Sequence, residues 1–158
     1  ETFDIVIIQA VLEHVLNPQR VVKEIFRVLK LNGIVYSETP FMQSVHEGPY
    51  DFTRFSHSGH RWLFRKFDEI YSGVNHGAFT SALFVLSYAL AGLFRSRFIG
   101  KILRLLLHKC AYFLDQITPR KFNIDVASGC YFMGYKSLTN KDNRSSSWII
   151  KYYLGAQK

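Results

Sequence analysis

The first 40 residues alternate between an apolar run, an amphipathic helix and a second apolar run, and this order constrains the fold more than any other feature. The first run, residues 3–8, is short and β-branched, which predicts an interior strand buried on both faces. An Asn-Pro pair at 17–18 predicts a helix start, and the helix is expected over 18–30 with a left-handed stop at 32–33. A second strand is predicted at 34–37. This order predicts two parallel strands joined by a right-handed crossover.

Later residues predict one more helix and two more strands. The helix is expected near 58–66, with inward-facing side chains at Trp62, Leu63 and Phe67. A third strand is expected near 69–75 and a fourth between 126 and 136. The tail, residues 138–158, follows, and the Asn- and Ser-rich segment 137–147 is expected to be mobile.

An insertion at residues 78–115 separates the third predicted strand from the fourth. Residues 78–94 carry no charge, and the helix that follows has a basic side opposite an apolar one, formed by Arg97, Lys101, Arg104 and His108. Three explanations stay open for residues 78–114: a transmembrane helix, an amphipathic pair lying on an anionic membrane, or helices packed over the sheet or in a homodimer. The uncharged run is short for a bilayer core of about 30 Å.

The composition is that of a globular domain with an uneven charge. The chain has 158 residues, of which 48% are hydrophobic, and this excludes a disordered or fibrous protein. Its net charge of +8 comes from the second part, because residues 1–60 carry more acidic than basic groups. Cys110 and Cys130 form no CxxC pair, so both are expected to be reduced and mostly buried. Basic, aromatic-rich chains can bind nucleic acid, but most of these aromatic residues fall at core periodicity and no nucleic acid is expected.

Several motifs in the first 67 residues belong together. They are Phe3-Asp4-Ile5-Val6, Val11-Leu12-Glu13-His14-Val15, Asn17-Pro18, Glu24-Ile25, Arg27-Val28-Leu29-Lys30, Gly33 and Pro40. This pattern resembles the second half of class I S-adenosylmethionine-dependent methyltransferases, and more narrowly the type 11 methyltransferase domain. The resemblance implies an α/β fold over residues 1–137. It would be a partial Rossmann-like sheet of the family's fourth to seventh strands, with the helical insertion before the last strand.

The resemblance also implies where the cofactor, S-adenosylmethionine, would bind. Ligands of open parallel sheets lie beyond the carboxyl ends of the strands, and in this family the backbone there passes the methionine part of the cofactor. The implied cofactor-binding residues are Gln9, Ala10, Val11, Glu13 and His14. Glu13 and His14 could instead be a polar pair that orders the loop. Some quinone methyltransferases with a divalent metal carry another Glu three residues before this one, but Ala10 stands there, so no metal is expected.

A polar loop follows the second strand and resembles the H-x-x-P-x-D-x-x-R-[FY] loop of family members encoded among glycan and cell-envelope biosynthesis genes, through His46, Pro49, Asp51, Arg54 and Phe55. Methyl transfer to a hydroxyl or amine needs a base, and we expect His46 and Asp51 to be the catalytic residues, with His46 as the base. Asp51 and Arg54 could instead hold the loop as an ion pair or bind an anionic acceptor. The expected substrate-binding residues are Tyr50, Arg54 and His57. Exposed or helix-capping roles remain open for His46, His57 and His60, and their spacing does not favour zinc.

The family's glycine-rich loop and ribose-binding acid precede its fourth strand, and no G-x-G-x-G occurs in this chain. We therefore expect a fragment that binds S-adenosylmethionine weakly or not at all alone, with an unpaired edge on its first strand. The expected reaction is methyl transfer, O- or N-directed, to a small-molecule, glycan or lipid-linked acceptor. A cytoplasmic location is expected, with contact to the membrane surface open. The alternatives are an RNA-methylating or nucleic-acid-binding module and a non-catalytic, methyltransferase-like partner.

Overall fold

The computed structural model describes residues 1–138 and 145–157 and contains one mixed sheet. Its strands are β1 (Phe3–Gln9), β2 (Leu29–Pro40), β3 (Asp68–His76) and β4 (Gly129–Tyr135), in the spatial order β1-β2-β4-β3. β1 and β2 pair in parallel, whereas β4 is antiparallel to both β2 and β3. Consequently β1, β2 and β3 all run in the same direction. Their carboxyl ends lie along one side of the sheet, the carboxyl edge, which is distinct from its outermost strands.

Helices follow the strands as the α/β prediction requires. They are α1 (Pro18–Val28), α2 (His57–Leu63), α3 (Ala78–Leu93), α4 (Arg97–Ile117), α5 (Arg120–Asp125) and α6 (Ser146–Lys151). The predicted fold class, a partial Rossmann-like sheet with a helical insertion before the last strand, is confirmed, and α3 and α4 form that insertion. Helix α6 lies in the expected tail. The segment expected to be mobile falls mainly on residues 139–144, which lie outside the described residues.

Helix α1 begins as predicted and ends earlier. The Asn17 side chain accepts a hydrogen bond from the Arg20 backbone N–H at 3.0 Å, and Pro18 occupies the first turn. The helix ends at Val28 because Leu29 is extended, fully buried, and paired with Phe3 at the start of β2. The predicted stop at residues 32–33 is therefore wrong. Asn32 does have a positive φ of 61°, but it lies inside β2.

Strand β1 lies at the edge of the sheet, which corrects the prediction of an interior strand. Among the described residues it pairs only with β2. Phe3, Ile5 and Ile7 on one face are 52–66% exposed, while Ile8 on the other face is 7% exposed. The apolar run predicted burial on both faces, but one face and the outer edge of β1 have no cover in the described part of the chain. This unpaired edge is the one that the sequence led us to expect.

The core lies between α1, α2 and the sheet. Its aromatic centre is Phe64, which stacks on Phe132 of β4 with ring centroids 5.0 Å apart and also contacts Phe67. Leu63 and Phe67 point inward as predicted. Trp62 does not, because it is 41% exposed and lies against the Arg65 guanidinium.

Other predictions about the second half have mixed outcomes. Both cysteines are free, but Cys110 is exposed on α4 and only Cys130 is buried. Burial raises the pKa of the Cys130 thiol to about 12, so it stays protonated. None of the helices in residues 1–138 and 145–157 combines the length and apolarity needed to cross a bilayer.

Candidate active site

A cavity of about 490 Å³ lies at the edge where β1, β2 and β3 end. Gln9 and Ala10 come from the end of β1, Pro40 from β2 and His76 from β3. Ala10 has a positive φ of 49°, which turns the chain sharply as it leaves the strand. This is the edge at which open α/β sheets bind their ligands.

Glu13 is the most unusual residue of the cavity. It lies on a short 3-10 turn, Leu12–His14, that follows β1, and its side chain is fully buried. Neither carboxylate oxygen has a hydrogen-bond partner within the described residues. Its Oε1 lies 3.5 Å from Nε2 of His46 and 3.9 Å from Nε2 of His14. Burying a carboxylate without hydrogen bonds destabilises the folded protein unless a positively charged group lies nearby.

His46 is held by the loop between β2 and α2. Its backbone N–H donates to Oδ2 of Asp51 at 3.0 Å, and its Nδ1 lies 3.5 Å from the same oxygen. Asp51 in turn makes a two-pronged ion pair with Arg54. Hydrogen bonds from Arg54 and from the His46 backbone lower the pKa of Asp51 to about 2, so this carboxylate stays charged. The imidazole of His46 thus lies between two carboxylates.

Three hydrogen bonds join this loop to the Glu13 turn. The backbone carbonyl of Glu13 accepts from the N–H groups of Phe52 and Thr53, at 2.8 and 3.3 Å. Nδ1 of His14 donates to the carbonyl of Tyr50 at 2.8 Å. That bond fixes the proton of a neutral His14 on Nδ1 and leaves Nε2 with a lone pair. Two segments far apart in sequence are therefore joined by hydrogen bonds.

The same residues could hold a metal ion. Glu13, His14 and His46 each offer one ligand atom, and these atoms lie within 4.8 Å of one another. Two imidazoles and a carboxylate suit a divalent transition metal. The sequence-based expectation of no metal rested on Ala10, but the structure supplies the third ligand atom from His46, on a different loop.

The other predicted site residues are placed less closely. Val11 and Tyr50 are 41% and 67% exposed, and the Arg54 side chain is engaged by Asp51. His57 is 2% exposed, does not line the cavity, and contacts the Ser72 hydroxyl at 3.0 Å. Its expected role in substrate binding does not fit this placement, because its ring faces the neighbouring strand β3.

Sequence reasoning missed several residues of the cavity, and two of them are polar groups at strand ends, Glu38 and His76. Glu38 accepts hydrogen bonds from the Gln9 amide at 2.8 Å and from the Tyr36 hydroxyl, and it lines the same space. Burial and the contact with Glu38 raise the pKa of Tyr36, which keeps the donor protonated. His76 lies at the end of β3, and its buried Nδ1 has no hydrogen-bond partner among the residues that the structure describes. Both positions are the carboxyl ends of strands, so the strand assignment itself was the signal.

A second cavity, of about 870 Å³, adjoins the first and shares His46 with it. It lies between the loop at residues 45–48 and the two insertion helices. Three guanidinium groups line it, those of Arg95, Arg97 and Arg104. The space beside His46 is therefore open toward a basic wall that suits an anionic ligand.

Comparisons with known proteins agree with this geometry for the first part of the chain. Residues 1–37 match the family model described as a methyltransferase domain. Residues 1–37 are therefore similar to part of a methyltransferase domain. A search of curated proteins gives no significant match. Among solved structures, the chain is similar to the crystal structure of the [4+2]-cyclase SpnF, with a TM-score of 0.42 and 13% identity. That similarity covers 86% of this chain, which spans about half, 50%, of the SpnF chain.

Proposed function

We propose that these residues form the acceptor-facing part of an S-adenosylmethionine-dependent methyltransferase. The observation that carries the proposal is the array Glu13–His46–Asp51 at the carboxyl edge of a sheet whose first part matches a methyltransferase domain. The acceptor is an oxygen or nitrogen of a small molecule, glycan or lipid-linked compound. Arg95, Arg97 and Arg104 favour an acceptor that carries negative charge.

The negative charge of the cavity's residues suits a positively charged methyl donor. When bound, S-adenosylmethionine supplies an activated methyl group on a positively charged sulfur. Glu13 and Glu38 place two carboxylates in the cavity, which suit a cation, and the turn at Ala10 brings backbone groups to its wall. Gln9, Ala10, Val11, Glu13 and His14 would hold the methionine end.

The proposed chemistry is an in-line displacement. A bond forms from the acceptor oxygen or nitrogen to the methyl carbon as the sulfur–methyl bond breaks and its electron pair stays on sulfur. His46 takes the acceptor's proton at Nε2. The imidazolium that results lies 3.5 Å from Glu13 on one side and 3.5 Å from Asp51 on the other, so both carboxylates stabilise it. Arg54 holds Asp51 in place and acts through it.

The test is a methyl-transfer assay on the full-length protein that contains these residues. His46→Gln keeps the size and polarity of the side chain but removes the base, so we expect kcat to fall about 100-fold or more, with the KM for S-adenosylmethionine little changed. Arg20→Gln, on the exposed face of α1, is the control and should keep the wild-type rate. A His46→Gln enzyme with an unchanged rate would exclude His46 as the base.

A metal-assisted version of the same reaction is the second candidate, favoured by the convergence of Glu13, His14 and His46. In that version Glu13, His14 and His46 would hold the ion, and the ion would supply Lewis-acid activation of the acceptor oxygen, with His46 as a ligand instead of the base. Dialysis against EDTA followed by addition of Mn²⁺ or Zn²⁺ separates the two versions. Loss and recovery of the rate supports the metal, whereas a rate that EDTA leaves unchanged supports His46 as a free base.

A further inference from the structure

The insertion forms an antiparallel helical hairpin, α3 and α4, in which α3 has its polar side facing inward. Its buried side chains include Thr80, Ser81 and Ser87, at 1–5% exposure. Its exposed face carries apolar side chains that are 44–74% exposed, namely Phe79, Val85, Leu86 and Leu93. A helix of a water-soluble domain shows the opposite arrangement. The outer face of α3 is therefore suited to an apolar environment.

Helix α4 continues this apolar surface. Five of its side chains are 62–78% exposed: Phe98, Leu105, Leu106, Phe113 and Ile117. Isolated exposed apolar residues are ordinary, but a run along two adjacent helices marks an interaction surface. We call these exposed residues of α3 and α4, together with Phe94 of the turn, the hairpin surface.

All charged side chains of the hairpin that are exposed to solvent are basic. Residues 78–117 contain five Lys and Arg and one acid, Asp115. Asp115 is 4% exposed and accepts hydrogen bonds from the backbone N–H groups of Gly77 and Phe79, at 2.9 and 2.8 Å, at the start of α3. At the opposite end, Arg95, Arg97 and Lys101 are exposed and lie close in sequence to the apolar tip residues.

Contacts within the hairpin hold the hairpin surface in place. Gly100 lets the two helices approach closely, because a Cβ atom there would lie 2.5 Å from the carbonyl oxygen of Ser87. Asp115 closes the base, and Thr80 also donates to it through its hydroxyl at 2.6 Å. The apolar side chains are therefore presented by a fixed scaffold.

We propose that the hairpin surface lies in the interface of an anionic lipid bilayer. The tip residues Leu93, Phe94 and Phe98 enter the boundary of the acyl chains, while Arg97 and Lys101 bind lipid phosphates. The pattern is that of a helix pair lying on a membrane, with basic and apolar residues at one end. This inference concerns binding to lipid and does not depend on the proposed methyl transfer.

Charge complementarity favours lipid over a second copy of the chain. A symmetric contact between two tips would bring Arg97 and Lys101 of both copies together, and the hairpin has no exposed carboxylate to offset them. An anionic bilayer neutralises the same cations and covers the same apolar side chains.

The experiment is co-sedimentation of the protein with vesicles of phosphatidylcholine, with and without phosphatidylglycerol. We expect binding only when the anionic lipid is present. Leu93→Ser/Phe94→Ser/Phe98→Ser should weaken it at least about tenfold, and so should Arg97→Glu/Lys101→Glu. Two matched controls should bind like the wild type: Leu16→Ser/Ile150→Ser removes apolar side chains that are exposed elsewhere, and Arg20→Glu/Lys23→Glu makes the same charge change on α1.

Circular dichroism and sedimentation velocity complete the test by reporting the fold and the oligomeric state of every variant. The proposal is overturned if the tip and charge variants bind vesicles as well as their controls, or if neutral vesicles bind equally well. A dimer that the tip variant dissociates, together with no lipid binding by the wild type, would overturn it in favour of self-association.

Discussion

At the residue scale, the two histidines of α2 are structural groups. His60 is fully buried and lies 3.0 Å from the Ser37 hydroxyl of β2, and His57 lies 3.0 Å from the Ser72 hydroxyl of β3. Burial lowers the pKa of His60 to about 3 and that of His57 to about 4. Both rings are neutral in the folded protein at neutral pH, and they connect the helix to two strands of the sheet.

This arrangement predicts a loss of stability in mild acid. Between about pH 6.5 and pH 4 the unfolded chain binds protons at both histidines and the folded chain does not, so the free energy of unfolding falls as the pH falls. Urea titrations at pH 7 and pH 5 should differ by on the order of 3 kcal/mol.

His60→Gln is the matched variant for this prediction, because it keeps a polar group near Ser37 and does not titrate. It should be less stable than the wild type at pH 7 and should show a smaller difference between pH 7 and pH 5. A wild-type stability that is the same at both pH values would contradict neutral, buried histidines.

At the element scale, the hairpin of α3 and α4 depends on close contact between its helices. The sequence predicted the basic side of α4 and the charge-free run before it, because both follow from helical spacing. It did not reveal that Thr80, Ser81 and Ser87 face inward. A helix without charged residues has no distinct polar face from which the buried side could be predicted. The orientation comes from tertiary contacts at Asp115 and Gly100.

Two glycine substitutions test this contact. Gly100→Ala places a Cβ atom 2.5 Å from the Ser87 carbonyl oxygen, so we expect the free energy of unfolding to fall by about 1–3 kcal/mol. Gly92→Ala is the control, since nothing lies within 4 Å of its added Cβ, and it should raise stability by about 0.5–1 kcal/mol through helix propensity. Chemical unfolding followed by circular dichroism measures both. Equal effects of the two substitutions would show that the helices are not in close contact.

At the scale of the whole molecule, local patterns predicted the fold better than the site. The strand-helix-strand order of residues 3–37 is carried by nearest-neighbour signals and is found, although β2 begins at Leu29, well before the predicted start at residue 34. Glu13 and His46 are 33 positions apart, and only the fold brings them to 3.5 Å. Spacing could therefore place each one near the sheet edge but could not show their contact. The apolar run of β1 predicted burial on both faces, because such a run does not tell how many neighbours a strand has, whereas the resemblance did predict the unpaired edge.

The most direct measurement of the central claim is hydrogen–deuterium exchange of the full-length protein with and without S-adenosylhomocysteine, the product left after methyl transfer. The account predicts slower exchange at the end of β1 and the following turn, residues 9–14, with residues 78–117 unaffected. Exchange that stays unchanged at residues 9–14, while the product protects other parts of the same protein, would contradict a methyl-donor site at this edge of the sheet.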